Sequence, residues 1–244
     1  MENVRRLALW NVDHTLVDVG RVTREAYAEA FQRVTGRPLV RLAPTAGRTE
    51  SEIIFDTLAF NDITTEDHHL PEFTNALTEA FAARRRNVRE QGRVLPGARE
   101  ALAAVGALPG VVQSVVTGSI KPNAVIKLTE LGLDGYLDLE VGGYGSEVFS
   151  RAALIELARG NATKRYVEKK LGVVVVEPTT LLIADAVRDV QAAKIVRVPV
   201  IAVATGTATA AELRGAGADV VLPTLDDTAA VVRAVDELTR DDNA

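Results

Sequence analysis

From Arg93 onward the chain alternates short apolar runs with stretches of helical period, and this alternation leaves few architectures open. Residues 111–116, 180–183 and 198–203 are rich in Val, Ile and Leu and too short for helices, so they read as strands buried on both faces. Residues 219–222 read the same way, and residues 136–141 predict a further short strand. Between them fall helical patterns. One starts near Pro96-Gly97 and carries Ala98, Leu102 and Val105; another covers 121–131 and stops at Gly132. Others cover 151–158, 187–194, 208–214 and 228–238. Residues 161–178 are expected to hold a helix around 164–171 and a short strand over 173–176. Repeated strand–helix units require a parallel, doubly wound α/β sheet with helices on both faces.

One more strand opens the chain. Leu7, Ala8, Leu9 and Trp10 form an apolar run that ends abruptly in Asn11, Val12 and Asp13, followed by His14 and Thr15. After it the pattern is helical. Val22, Ala26, Tyr27, Ala30, Phe31 and Val34 fall at helical spacing and are stopped by Gly36 and Pro38. Thr49 or Ser51 caps a helix carrying Ile53, Ile54 and Leu58. A third helix is expected from Pro71 through Phe73, Leu77, Phe81 and Val88 to Gly92. No strand pattern interrupts residues 18–92. The predicted organisation is therefore a core of residues 1–17 and 93–244, with 18–92 inserted as a helical cap.

Composition bounds the function classes. Of 244 residues, 47% are hydrophobic, enough for a large core, and 28 basic against 33 acidic side chains give a net charge of −5. A nucleic-acid footprint needs a clustered basic surface; the Arg84-Arg85-Arg86 triplet among acidic neighbours reads as a solvated helix face. No cysteine is present, which rules out disulfides, thiolate metal sites and cysteine nucleophiles. No apolar run approaches the ~20 residues of a spanning helix, and none of leader type precedes Asn11. The expectation is a cytoplasmic protein acting on a small molecule, with neither nucleic acid nor membrane as partner.

In a doubly wound sheet, ligands bind outside the carboxyl ends of the strands. Those ends carry Asn11 and Asp13, then Thr117-Gly118-Ser119, then Asp185. Asp185 and Asp189 are four apart, so a helix starting near Asp185 turns both the same way. With Asp13 they bring three carboxylates toward one spot, where a divalent cation such as Mg²⁺ is the natural counter-charge. Thr117 and the N–H groups after it, at a helix start, form an anion site. Arg151, or alternatively Lys121, supplies the cation of a phosphate clamp. Cation, anion site and basic side chain together suit phosphoryl transfer. His14, His68 and His69 read as structural or exposed, and Gly142-Gly143-Tyr144-Gly145 is too short for a dinucleotide fingerprint.

These segments, in order, resemble the haloacid dehalogenase-like (HAD) superfamily of phosphatase type with a C1 helical cap. Its Asp-x-Asp-x-Thr motif reads Asn11-Val12-Asp13-His14-Thr15 here. Its second motif falls on Thr117, its third on Arg151, and its fourth on Ala184-Asp185-Ala186-Val187-Arg188-Asp189. The resemblance implies an aspartyl-phosphate mechanism, with Asp13 as acid and base and its backbone carbonyl on Mg²⁺. It gives Thr117, Gly118 and Arg151 the phosphoryl oxygens of a small phosphorylated metabolite, and Arg48 a substrate contact. The implied metal set is Asn11, Asp13, Asp185 and Asp189. This chain departs from the pattern at the nucleophile, where Asn11 is neutral and poorly nucleophilic, so hydrolysis is expected to be strongly impaired. Asn11 reads either as an engineered substitution that arrests the first chemical step or as natural, and two other readings stay open: a natural pseudo-phosphatase that binds a phosphorylated ligand or a partner without turnover, and a dehalogenase or phosphonatase-like enzyme. The last is disfavoured because residues 18–92 contain no lysine for a Schiff base.

Overall fold

The computed structural model describes residues 6–167 and 179–240. The chain enters as β1 (Arg6–Trp10), makes a short strand β2 (Val17–Asp18), and then turns helical. The helical stretch is α1 (Gly20–Thr35), α2 (Glu50–Phe60), α3 (His69–Ala83) and α4 (Arg85–Gln91). It ends at β3 (Arg93–Val94), which pairs antiparallel with β2, so the two crossings between this stretch and the sheet lie side by side. There follow α5 (Ala98–Gly106), β4 (Val111–Thr117), α6 (Lys121–Glu130), β5 (Gly143–Tyr144) and α7 (Arg151–Ala162). The last part is β6 (Thr179–Ala184), α8 (Val187–Ile195), β7 (Val200–Val203), α9 (Ala210–Gly215), β8 (Val220–Leu222) and α10 (Thr228–Leu238).

Six strands form one sheet in the order β5-β4-β1-β6-β7-β8, every pairing parallel. The strand period of two sorts side chains onto its faces. Ala8 and Trp10 join Leu102, Leu128, Val231 and Val235 on one side. Leu7 and Leu9 join Leu154, Ile155 and Val190 on the other. That is why these strands read as unbroken apolar runs. From β1 the chain builds toward β4 and β5 on one side and β6 to β8 on the other, so β1 is the point where strand order reverses. Register pairs Trp10 with both Val115 and Ile183, which brings Asn11, Thr117 and Asp185 to one end of the sheet.

Residues of α1 to α4 bury their own apolar cluster, including Tyr27, Phe31, Leu58, Phe73, Leu77 and Phe81, with Ile126 of α6 added from the sheet side. Thr49 caps α2 with a full capping box to Glu52, as its spacing suggests. Gly36 closes α1 at φ 70°, a conformation costly for any other residue.

Three expectations are corrected. Residues 136–141 are not a strand: Tyr136 ends a 3-10 turn begun at Asp134, and the strand is β5 at Gly143–Tyr144. A Cβ on Gly143 would stand 2.3 Å from the Leu154 carbonyl oxygen, so this edge strand passes against α7 only because it is glycine-rich. The helix expected over 71–92 is two, α3 and α4, divided at Arg84. Finally, α7 runs four residues beyond 158 and continues as a π-helical turn over Thr163–Val167. The rest of the helix expected to residue 171, and the strand at 173–176, lie outside the described residues. Among the described residues no helix is long and apolar enough to cross a membrane.

Candidate active site

A cavity of 840 Å³ opens where the strand ends meet the helical stretch, with Asn11, Asp13, Thr117, Gly118 and Arg151 on its sheet side. Glu50, Tyr27 and Phe81 line it from the helices, and Arg48 from the loop before α2. Contact between the two sides is tight. The Glu50 N–H donates to the Gly118 carbonyl at 2.9 Å, and a Cβ on Gly118 would stand 1.8 Å from the Arg48 carbonyl oxygen. Position 118 therefore tolerates no side chain while α2 sits there.

One polar chain crosses the floor. Arg151 donates from Nε to Asp189 at 2.5 Å and from Nη2 to the Asn11 side-chain oxygen at 2.9 Å, and Nη2 also meets the Val116 carbonyl. The Asn11 amide nitrogen donates to Asp185 at 2.8 Å and to the Asp13 backbone carbonyl at 2.9 Å. Thr15 donates a second bond to the same Asp185 oxygen. Asp185 and Asp189 are buried. Burial, then the neighbouring Asp189 carboxylate, pushes the Asp185 carboxyl up to about 6, against the bonds from Thr15 and Asn11. Within this hydrogen-bonded network, the buried Arg151 Nη1 and Asp189 Oδ2 have no partner among the described residues. Thr117 is buried, and its hydroxyl oxygen accepts the Ser119 N–H.

A second group of charges stands beside it. Lys127 Nζ spans both carboxylate oxygens of Asp13, at 2.9 and 2.7 Å, and also reaches the Ser119 hydroxyl. Its ammonium lies 5.3 Å from the centre of the Phe81 ring, within cation–π range. Above it, the buried Glu50 carboxylate accepts from the Tyr27 hydroxyl. Burial pushes the Glu50 carboxyl up to about 7, offset only in part by the Lys127 ammonium and the Ile120 N–H.

The structure thus brings Asn11, Asp13, Thr117, Gly118, Arg151, Asp185 and Asp189 together, but differently from the three-carboxylate cluster expected. The Asp13 carboxylate is drawn away to Lys127, and Asp189 is held by Arg151. Among the described residues no group of three or more His, Cys, Asp or Glu side chains is arranged to hold a metal ion. Nor does the donor set, as arranged, fit the Mg²⁺ that the resemblance implied. The point between Asp185 and the Asp13 carbonyl is filled by the Asn11 nitrogen, a hydrogen-bond donor.

Arg48 lines the cavity but spends its guanidinium on Asp56. Lys121, the alternative clamp, instead pairs with Glu140. His14 is not on a strand: it occupies a left-handed turn at φ 62° and lines the cavity edge. Lys127 and Glu50 were missed. The available signal for Lys127 was a lysine set into the apolar stripe of Ile120, Ala124, Leu128 and Leu131.

A family model described as haloacid dehalogenase-like hydrolase matches residues 8–194. Among solved structures, a hydrolase from Pseudomonas syringae is 21% identical, with a TM-score of 0.66 over 97% of this chain and 100% of that one. A predicted phosphatase from Clostridium acetobutylicum is 16% identical, with a TM-score of 0.64 over 95% and 100%. A predicted phosphoglycolate phosphatase from Haemophilus somnus is 16% identical, with a TM-score of 0.61 over 95% and 99%. At such identities these three share the fold. No curated protein matches the chain.

Proposed function

The chain belongs to the haloacid dehalogenase-like hydrolase family, and we propose that its cavity receives a small phosphorylated molecule whose phosphoryl group lies against Thr117, Gly118 and Arg151. Residues 18–92 act in this reading as a cap over a core of 1–17 and 93–244. One observation carries it: Arg151 Nη1 is buried and unpartnered beside Gly118. A buried guanidinium N–H left without an acceptor costs stability, and a phosphoryl oxygen is the acceptor it suits best. The two similar structures named for phosphatases point the same way.

Catalysis is the weak half of the site. Asn11 stands where a carboxylate nucleophile would, and its oxygen is already bonded to Arg151. An amide in that position does not attack phosphorus at a useful rate, so the chain with Asn11 hydrolyses phosphate esters slowly or not at all. Asp13, held by Lys127 and Ser119 at the cavity floor, remains placed for proton transfer to a leaving group.

The test is Asn11→Asp, assayed with an aryl phosphate and Mg²⁺. Restoring the nucleophile is expected to raise phosphate release by roughly 10³-fold or more. Intact mass should accompany the natural chain, because deamidation of Asn11 makes the same carboxylate. A variant that stays inert across a panel of phosphate esters, in a protein that still binds phosphate, leaves a non-catalytic binder. That second reading has an observation of its own, since the Asn11 amide is bonded at both its nitrogen and its oxygen.

A further inference from the structure

We infer that the Asn11 amide nitrogen does the work of a divalent cation on this floor, so that the site takes a phosphate oxyanion without a metal. The inference rests on the phosphoryl-pocket reading above, although its metal-binding half does not.

The geometry begins with two acceptors. The Asp185 carboxylate oxygen and the Asp13 carbonyl oxygen converge on one point, at 2.8 and 2.9 Å, and the Asn11 nitrogen is at that point. Oxygens converging in this way are the ligand type of a hard cation. Here the two N–H bonds of an amide serve the two acceptors instead.

The amide cannot turn over cheaply to offer its oxygen to a metal. Arg151 Nη2 donates to the Asn11 oxygen, and a guanidinium has no acceptor to offer in return. Rotated, the amide would set nitrogen against Nη2 and crowd three oxygens around the vacated point. Arg151 is itself fixed by Asp189 and by the Val116 carbonyl. The orientation of Asn11 is therefore set from two elements away.

Charge agrees with geometry. Asp13, Asp185 and Asp189 face Lys127 and Arg151, which leaves the ionised floor with one net negative charge. A carboxylate at position 11 would add a second beside Asp185, and like charges that close call for a cation between them. With an amide there, that demand is removed. Arg151 lines the cavity, and its Nη1, buried and without a partner among the described residues, lies beside Gly118, so the oxyanion side of the site is intact.

Two titrations decide it. Inorganic phosphate is titrated calorimetrically into the natural protein, first with EDTA and then with Mg²⁺. Its affinity is expected to change by less than about twofold between them, whereas Asn11→Asp should need Mg²⁺ for about tenfold of its affinity. Mn²⁺, followed by electron paramagnetic resonance without phosphate, should bind Asn11→Asp at least about tenfold more tightly than the natural chain. Asn11→Ala, which removes the nitrogen without adding charge, should lose about tenfold in phosphate affinity in EDTA through the freed Arg151. Tenfold tighter phosphate binding by the natural protein in Mg²⁺, equal Mn²⁺ affinity in the two proteins, or unchanged binding by Asn11→Ala overturns the inference. Absence of phosphate binding under every condition overturns the pocket reading instead, and the Mn²⁺ comparison still tells whether Asn11 excludes the cation.

Discussion

Two ion pairs end on the floor of one cavity, and they are built differently. In Arg151–Asp189 both side chains are out of water, at 6% and 0% exposure. In Lys127–Asp13 the lysine is as deeply buried, at 3%, but the acid keeps 32% of its surface. Removing the base from the first pair strands a charge with no solvent to take it; removing it from the second leaves a carboxylate that water can reach. The first pair is part of the frame that holds α7 and α8 against the strand ends. The second orients a group at the cavity surface and can be altered without undoing the fold.

Arg151→Ala should break the comparison most visibly. Asp189 would lose its cation and become an uncompensated buried charge, a loss that costs about 3–5 kcal/mol. The urea midpoint at pH 7 measures it, and phosphate binding should vanish with it. Arg151→Lys keeps the charge but not the fork that reaches Asp189 and Asn11 together, so its cost should fall between the natural chain and the alanine variant. A cost below about 1 kcal/mol for Arg151→Ala would mean that water reaches Asp189 and that the two pairs are alike.

Glu50 tests the roof above the second pair. Its carboxyl titrates near 7 in the folded protein against a usual 4.5. Between those values the unfolded chain gives up a proton that the folded protein keeps, so stability falls as pH rises from about 4.5 to 7. Below that window the group is neutral in both states and costs nothing. Above it the full penalty is present, of order 3 kcal/mol. Glu50→Gln keeps an acceptor for the Tyr27 hydroxyl and never ionises. It should raise the urea midpoint at pH 8 and leave it nearly unchanged at pH 4; an equal gain at both would show that ionisation is not the cause.

The same contrast explains what could be read from residues alone. Strands buried on both faces announce themselves because every side chain must be apolar, so β1, β4, β6 and β7 were legible. The rule that ligands bind at the carboxyl ends of parallel strands then gathered Asn11, Thr117 and Asp185, although the strand order that sets them side by side had to come from the structure. The edge strand β5 was not legible, since Gly143 is there for its lack of a Cβ against Leu154 and carries no strand propensity. The break at Arg84, where the backbone leaves helical geometry and the guanidinium bonds the Ala80 carbonyl and Glu29, has no glycine or proline to announce it. In the site, residues at the strand ends were found from the backbone pattern, and Arg151 from its place in the family's motif order, while Lys127 and Glu50, which reach the cavity from helices, were not. Glu50 in the first turn of α2 looks like an ordinary partner of the helix dipole until Gly118 and Tyr27 enclose it. Lys127 looks like a lysine lying along an apolar face with its ammonium in water.

Lys127→Met should have the smallest effect on stability and so sharpens the comparison from the other side. The thioether keeps the length of the lysine stem and can rest against Phe81 as the ammonium does. Asp13, one-third exposed, takes water in place of Nζ and keeps its bond from Ser119. The change in unfolding free energy is therefore expected within about 1 kcal/mol, against several for Arg151→Ala. Function should move more than stability. In the Asn11→Asp background, the added Lys127→Met leaves the Asp13 carboxylate without the ammonium that orients it, so kcat for an aryl phosphate with Mg²⁺ should fall by more than the urea midpoint moves. An unchanged kcat with a large loss of stability would make Lys127 part of the frame after all, and the two ion pairs would then differ in exposure alone.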